Sequence, residues 1–318
     1  MKRFLTASQV ATLLIFVAAL AYLGWLGYGV LPKPTPTPTP TPPPVFQGEQ
    51  ALALAQQQCD FGPRATGTPA GWRTGDWIIA QLQTAGWEVE THEFLWNETP
   101  VRNIIGRAGP AAAPTPALML AAHYDTRRIA DQDPNPLLRT LPVLGGNDGA
   151  SGVAVLLELV RVLDRDALPH LVWLAFVDAE DNGSIEGWEW AIGSTRLAEE
   201  MDPLPAALIL VDMVGDTAQR IPFEANSDPR LSQQLWALAA ELGYGDVFLP
   251  EIGPALIDDH IPFLRRGVPA VDIIDFDYPE WHTTADTCDK LSPASLERVG
   301  RLLQTFVETN GLGLFLTP

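Results

Sequence analysis

The sequence predicts a three-layer α/β/α domain on a mostly parallel mixed sheet, preceded by one N-terminal transmembrane helix. Three observations lead there. Short, β-friendly apolar runs recur through residues 45–318. Longer amphipathic stretches separate them, which is the alternation of an α/β domain. An uncharged stretch near the N-terminus is long enough to cross a bilayer.

That stretch runs from Phe4 to Val30, directly after Lys2 and Arg3. As a helix rising about 1.5 Å per residue it exceeds a hydrocarbon core of about 30 Å. The basic residues in front keep the N-terminus cytoplasmic and place the remainder outside. Ala19-Leu20-Ala21 is a weak small-x-small site, so secretion after signal cleavage is the alternative. The apolar run continues past it through Trp25 to Val30, which favours an anchor that is kept. Pro32 to Pro44 reads PKPTPTPTPTPPP. Such a tract favours polyproline II, a stiff spacer of roughly 3 Å per residue. The expected organisation is an anchor or signal peptide over 1–31, a Pro/Thr-rich linker over 32–44 and a catalytic domain over 45–318.

The chain is 47% apolar and 19% charged, which excludes a disordered polypeptide. It carries 39 acidic against 20 basic residues, a net charge of −19. Lys2, Arg3 and Lys33 precede the domain, so the domain itself is more acidic still. Nucleic-acid binding needs a basic face and is excluded as a default. A negative field suits cations, or a substrate with a free amine. Two cysteines exclude a Cys-rich zinc module. Cys59 and Cys288 either pair outside the cytoplasm or stay as buried thiols. Nothing in the sequence fixes an oligomeric state.

Within the domain, Ala117–Ala122, Leu171–Val177, Ala206–Val211 and Pro269–Ile274 read as strands buried on both faces. Trp87–Trp96 alternates more and suggests an outer strand, with Val101–Arg107 able to pair with it. Helices are expected over Gln47–Gln58, Ala70–Ala85, Ala150–Leu163, Trp188–Glu200, Pro229–Leu242 and Pro293–Thr309. In the third of these, Val153, Leu156, Leu157, Val160 and Leu163 recur at helical spacing.

Chemistry-bearing residues follow each buried run. His123-Tyr124-Asp125 follows the first, Asp178-Ala179-Glu180-Asp181 the second and Asp212 the third. The loop Gly145-Gly146-Asn147-Asp148-Gly149 opens a helix, and Trp281-His282-Thr283-Thr284 leads to Asp286. In open α/β sheets such strand ends converge on one site. Packed carboxylates repel one another unless a cation or proton intervenes. His and carboxylate donors without Cys suit catalytic zinc. His123, Asp148, Asp181, Asp212 and His282 could supply two metals sharing one carboxylate, with Glu180 placed as a general base. Singly, Asp148 also fits a helix cap and Asp212 a strand-end turn; the combination at successive strand ends points to the metal. His92, among acids in an alternating stretch, reads as surface. His170 precedes its strand and reads as structural.

These residues carry a resemblance. The motifs are His123-x-Asp125, Asn147-Asp148-Gly149-Ala150-Ser151-Gly152, Asp178-x-Glu180-Asp181, Asp212-Met213-Val214-Gly215 and His282-Thr283-Thr284-x-Asp286-Thr287. In order and spacing the chain resembles the zinc-dependent aminopeptidases that share a fold with animal-type glutaminyl-peptide cyclotransferases, over roughly residues 50–312. The resemblance implies that Asp148 is the central or bridging zinc ligand. It implies Asp181 and His282 on one zinc, Asp181 standing where the family usually has Glu. His123 and Asp212 would hold a second zinc in aminopeptidases, whereas cyclases usually hold one. Glu180 matches the acid/base residue of both branches, and Asp125 would orient His123.

The segment Ile257–Pro269 is close to the cyclase pattern, as is an aromatic before the His, here Trp281. Asp259 would match the acid of the cyclase network, joined by Asp212. Trp188 and Trp190 lie where cyclases place an active-site Trp, and Trp188 is the expected substrate contact beside Trp281. The Asn147–Gly152 motif is more like the aminopeptidases, and Asp272 stands where many cyclases carry a His.

Three functions follow as expectations. The first is a cyclotransferase converting N-terminal Gln to pyroglutamate with release of ammonia and using one zinc. The second is a di-zinc aminopeptidase hydrolysing the first peptide bond. The third is a non-catalytic binding domain on a stalk. The first two need a peptide or protein partner with a free N-terminus, and all three meet a membrane through the N-terminal helix.

Overall fold

The computed structural model describes residues 4–30, 44–110 and 116–317. The Pro/Thr-rich tract, apart from Pro44, lies outside them, as do Lys2 and Arg3. The chain divides into two compact units, the boundary falling between Pro42 and Pro43.

The first unit contains one helix, α1 (Ala7–Val30). Its Ala7–Tyr28 portion is long and apolar enough to cross a membrane, with a mean hydropathy of 2.1 and no residue buried against protein. This makes it a candidate transmembrane helix or signal sequence.

The second unit is a mixed six-stranded sheet with helices on both faces. In chain order it contains α2 (Gly48–Asp60), α3 (Pro69–Thr84), β1 (Glu88–Trp96), β2 (Thr99–Ala108), β3 (Ala117–His123), α4 (Ala150–Val162), β4 (Leu171–Val177), α5 (Ile192–Glu200) and β5 (Ala207–Asp212). There follow β6 (Ile221–Phe223), α6 (Pro229–Glu241), β7 (Phe248–Ile252), α7 (His260–Arg265), β8 (Ala270–Ile274), α8 (Pro293–Glu308) and α9 (Gly311–Leu316). The strand order is β1-β2-β4-β3-β5-β8. β1 and β2 are antiparallel, as are β2 and β4, while β4, β3, β5 and β8 run parallel. β6 and β7 form a separate parallel pair.

Strand periodicity sorts the core into two layers. Leu118, Leu120 and Ala122 of β3, with Val172, Leu174 and Phe176 of β4, face the layer containing α2, α4 and α8. Met119, Ala121, Trp173 and Ala175 face the opposite layer, with Leu197 of α5 and Phe263 of α7. Side chains two apart share a face, so each run must be apolar throughout. Gly152 lets α4 lie close against β5, since a Cβ there would stand 2.2 Å from the Val211 carbonyl oxygen.

Most elements begin and end within two residues of expectation; four features differ, one of them the short helix α9, which follows the last expected helix. The helix expected from Trp188 begins at Ile192 because Ser184, Glu186 and Ala191 are left-handed and coil the preceding segment into turns. The short helix α7 was not anticipated, because Pro262 sits within it. It occupies the first turn, where a missing N–H costs little. The short pair β6 and β7 was not anticipated either.

Cys59 and Cys288 form a disulfide with a sequence separation of 229, joining the end of α2 to the segment after His282.

Candidate metal centre and its cavity

The parallel strands β3, β4, β5 and β8 end on one edge, with His123 opposite Val177 in register and Asp212 opposite Ile274. His123 and Asp212 are therefore strand termini, and Glu180 and Asp181 stand just beyond β4. Asp148 enters from the loop before α4, and His282 from the loop after β8. All six residues are buried.

Asp148 is central. Its Oδ1 lies 3.1 Å from His123 Nε2, and its Oδ2 lies 3.6 Å from His282 Nε2. His123 Nε2 is also 3.1 Å from Asp212 Oδ1, and His282 Nε2 is 2.9 Å from Asp181 Oδ1. Two donor groups result, His123–Asp148–Asp212 and Asp148–Asp181–His282, the donor atoms of each lying within 4.8 Å of one another. The sequence-derived ligand set is thus brought together with Asp148 shared.

The donors fit a divalent metal. Asp181 Oδ2 and the Nδ1 atoms of His123 and His282 are buried without a hydrogen-bond partner. Each Nδ1 faces a carboxylate instead: Asp125 Oδ1 at 3.6 Å from His123, and Asp131 Oδ1 at 3.7 Å from His282. Such outer carboxylates fix the imidazole tautomer.

Without a cation the centre is frustrated. Burial and the Asp148 charge hold the Asp181 carboxyl well above its ordinary range. Burial also lifts Asp212 to about 7, against the pull of His123. Burial alone would lower His123, but Asp212, Asp125 and Asp148 outweigh it and raise it well above the usual imidazole value. Burial dominates at His282 and pushes it down to about 3. Asp148 is also penalised by burial, yet the hydrogen bond and charge of His123 bring it below the usual range. A divalent ion would replace this mixture of protons and repulsions.

The loops are held by backbone donors. Asp125 accepts the N–H groups of Glu180 (3.0 Å) and Asp181 (3.2 Å). Asp286 accepts those of Asn147 (2.7 Å) and Asp148 (3.2 Å), plus the Tyr278 hydroxyl (2.9 Å). Ala179, Met213 and His282 have φ between 45° and 60°. Non-glycine residues rarely adopt that region, and here all three adjoin or belong to the site.

A cavity of ≈ 240 Å³ opens beside the donors. Glu180, Asp212, Asp258, Trp190, Phe276 and Trp281 are among its lining residues. Burial and the Asp258 charge hold the Glu180 carboxyl well above its ordinary value. Trp281 is stacked on His282 with centroids 3.7 Å apart, and Trp190 stacks on it at 5.8 Å.

Trp188 and Asp259 both lie outside the cavity lining. Trp188 packs instead with Val101, Ala179 and Ile192 under Arg128. Trp190 takes the wall position, its ring lying against the backbone of Gly183. Asp259 also lies outside the lining, buried behind it, where its Oδ1 accepts the Ser194 hydroxyl of α5. The acid in the wall is its neighbour Asp258, whose Oδ1 accepts the Asp259 N–H. The repeated Asp-Asp in the motif was the signal, but it cannot say which of two adjacent side chains points inward.

Residues 103–307 match Peptidase family M28. A glutaminyl-peptide cyclotransferase-like protein of Mus musculus is 30% identical over 284 residues, covering 77% of this chain and 71% of the mouse protein. A solved glutaminyl cyclase of Porphyromonas gingivalis superposes with a TM-score of 0.79 at 33% identity, covering 84% of this chain and 99% of that one. A solved Zn-dependent exopeptidase of Parabacteroides distasonis gives a TM-score of 0.79 at 30% identity, covering 83% and 99%. With the paired donor groups at the strand ends and a match spanning most of the domain, the chain belongs to Peptidase family M28.

Proposed function

We propose that this chain is a zinc-dependent glutaminyl-peptide cyclotransferase acting on peptides with a free N-terminal Gln. The observation that carries the reading is the small cavity at Glu180, walled by Trp281, Trp190 and Phe276 and floored by the donor groups. It suits one residue folded back on itself better than an extended chain. The curated and solved relatives named as cyclases support the same reading.

Zinc bound by Asp148, Asp181 and His282 would supply Lewis-acid polarisation of the γ-amide carbonyl. Glu180 would take a proton from the substrate α-nitrogen as that nitrogen attacks the γ-carbon. It would return the proton to the amide nitrogen as the C–N bond breaks and ammonia leaves. A carboxyl with a raised proton affinity suits both halves of that exchange. Asp258, in place of the expected Asp259, would hold the α-amine, and Asp212 would join the charge network. Trp281 and Trp190 would fix the rotamer that brings nitrogen and carbon together.

The His123–Asp148–Asp212 group favours a second reading, a di-zinc aminopeptidase, because a second complete donor set is present. There Glu180 would take the proton of an attacking water. We infer one zinc for the first reading and two for the second, with α1 as a membrane anchor or signal sequence and the domain outside the cytoplasm.

The test is mass spectrometry on the detergent-solubilised, zinc-loaded chain incubated with one peptide beginning with Gln and one beginning with Leu. Loss of about 17 Da from the Gln peptide, the mass of ammonia, above an uncatalysed control supports the cyclase. Release of free Leu moves the assignment to the aminopeptidase. Two intact peptides with zinc bound overturn both and favour the stalked binding domain.

A further inference from the structure

A buried cation outside the donor set touches only one of the two donor groups. Arg127, four residues beyond the end of β3, is 2% exposed. Its Nε and Nη2 donate to Asp131 Oδ1 (2.6 Å) and Oδ2 (3.0 Å), a bidentate fork. Its Nη1 donates to the Asp181 carbonyl oxygen (2.9 Å), and Nη1 and Nη2 both donate to that of Gly183 (3.3 Å each). The guanidinium carbon lies 5.0 Å from the centroid of Trp190, which itself stacks on His282.

These contacts close a ring. Arg127 holds Asp131, Asp131 faces His282 Nδ1 at 3.7 Å, and His282 Nε2 faces Asp181 Oδ1 at 2.9 Å. Asp181 returns to Arg127 through its own carbonyl oxygen and, at 3.8 Å, through its carboxylate. Every guanidinium nitrogen is engaged, so the fork sets the distance between the Asp181 loop and the residue that faces His282.

A cation 3.8 Å from a metal ligand should by charge alone weaken metal binding. Its burial in that place, fully hydrogen-bonded, points to a positional role that outweighs the repulsion. We propose that Arg127 is a positioning residue for the Asp148–Asp181–His282 metal group, fixing Asp181 and His282 relative to one another through Asp131 and the carbonyl oxygens of Asp181 and Gly183. This rests on the zinc reading above and is independent of which peptide reaction the centre performs.

For Arg127→Met, charge and position predict opposite signs, which makes that variant decisive. Zinc affinity is measured on the full chain in detergent by competition with a chromophoric chelator, for wild type, Arg127→Met, Arg127→Lys and Asp131→Asn. Removing an outer-shell partner costs on the order of 10- to 100-fold in metal affinity. Arg127→Met and Asp131→Asn should each weaken retention by that factor. Arg127→Lys keeps the charge without the planar fork and should stay weakened. Excess zinc should restore near-wild-type activity in the variants, which a general packing defect would not allow. Arg127→Lys, which keeps the charge and loses the fork, keeps the test open if Arg127→Met does not fold. Zinc held as tightly as in wild type, or more tightly, in Arg127→Met or in Arg127→Lys overturns the proposal while leaving the zinc reading intact. A wild type that binds no zinc overturns both.

Discussion

The indole of Trp281 lies on the imidazole of His282, with ring centroids 3.7 Å apart and planes 25° from parallel. The residue that walls the cavity and a donor of the Asp148–Asp181–His282 group are therefore neighbours in sequence and in contact. Their roles are separable, because only the imidazole carries a donor.

Trp281→Ala should remove a cavity wall without removing a ligand. The lost apolar contact is about 1.5–3 kcal/mol, which corresponds to a KM increase on the order of 10- to 100-fold. Zinc content should be unchanged. Steady-state kinetics with a Gln-initiated peptide, alongside metal analysis of the same preparation, checks both.

Glu180→Gln keeps the shape of the side chain and abolishes its proton exchange. The expected loss in kcat is on the order of 10²–10⁴-fold, with zinc affinity and melting temperature close to wild type. A variant that loses its zinc instead would place Glu180 among the ligands.

Glu224 predicts an acid limb in the stability profile. It is buried, which alone would raise its pKa, but it accepts bonds from His260 Nε2, the Leu256 and Asn226 N–H groups and the Ser227 hydroxyl. These outweigh burial and bring it down to about 2. A carboxyl depressed in the folded state stabilises above its unfolded value of 4.5, and that contribution is lost as pH falls from there through about 2. The contribution is on the order of 3 kcal/mol at neutral pH. Glu224→Gln should lower the melting temperature at pH 7 and flatten its dependence between pH 5 and 2, as followed by thermal melts.

The Cys59–Cys288 bridge closes a loop of 229 residues in sequence separation. Loop-closure entropy assigns it about 5 kcal/mol. Cys59→Ala/Cys288→Ala should therefore melt several degrees lower. The same variant should bind zinc more weakly, because Asp286, two residues before Cys288, holds the N–H of Asp148. Calorimetric melts with and without zinc separate the two effects.

The sheet was legible because strands covered on both faces must be almost wholly apolar, and β3, β4, β5 and β8 are, apart from His123 and Asp212 at their ends and Asp272 within β8. The donor set was legible because His123 and Asp212 follow those runs directly and Asp181 stands four residues beyond another. Asp258 and Trp190 were not, for a local reason. Asp258 and Asp259 are adjacent, and a helical φ, ψ at Asp259 turns it toward Ser194. Trp188 and Trp190 are two apart, and the left-handed turns around them decide which reaches the cavity. The sequence leaves the disulfide open, because pairing depends on a Cα separation, here 6.4 Å, across most of the domain. The place of Arg127 is not legible in the sequence, because the contacts that tie it to the Asp181 loop are to backbone carbonyl oxygens, which leave no trace in residue type.

The donors span the chain from His123 to His282, with Asp148 shared between both groups. On a chain synthesised from its N-terminus, His282 emerges last, after every strand of the main sheet. A partial chain thus has no complete Asp148–Asp181–His282 group, and no premature metal trap arises there during synthesis. Metal capture by that group therefore has to await synthesis of the whole main sheet, so it is coupled to completion of that sheet.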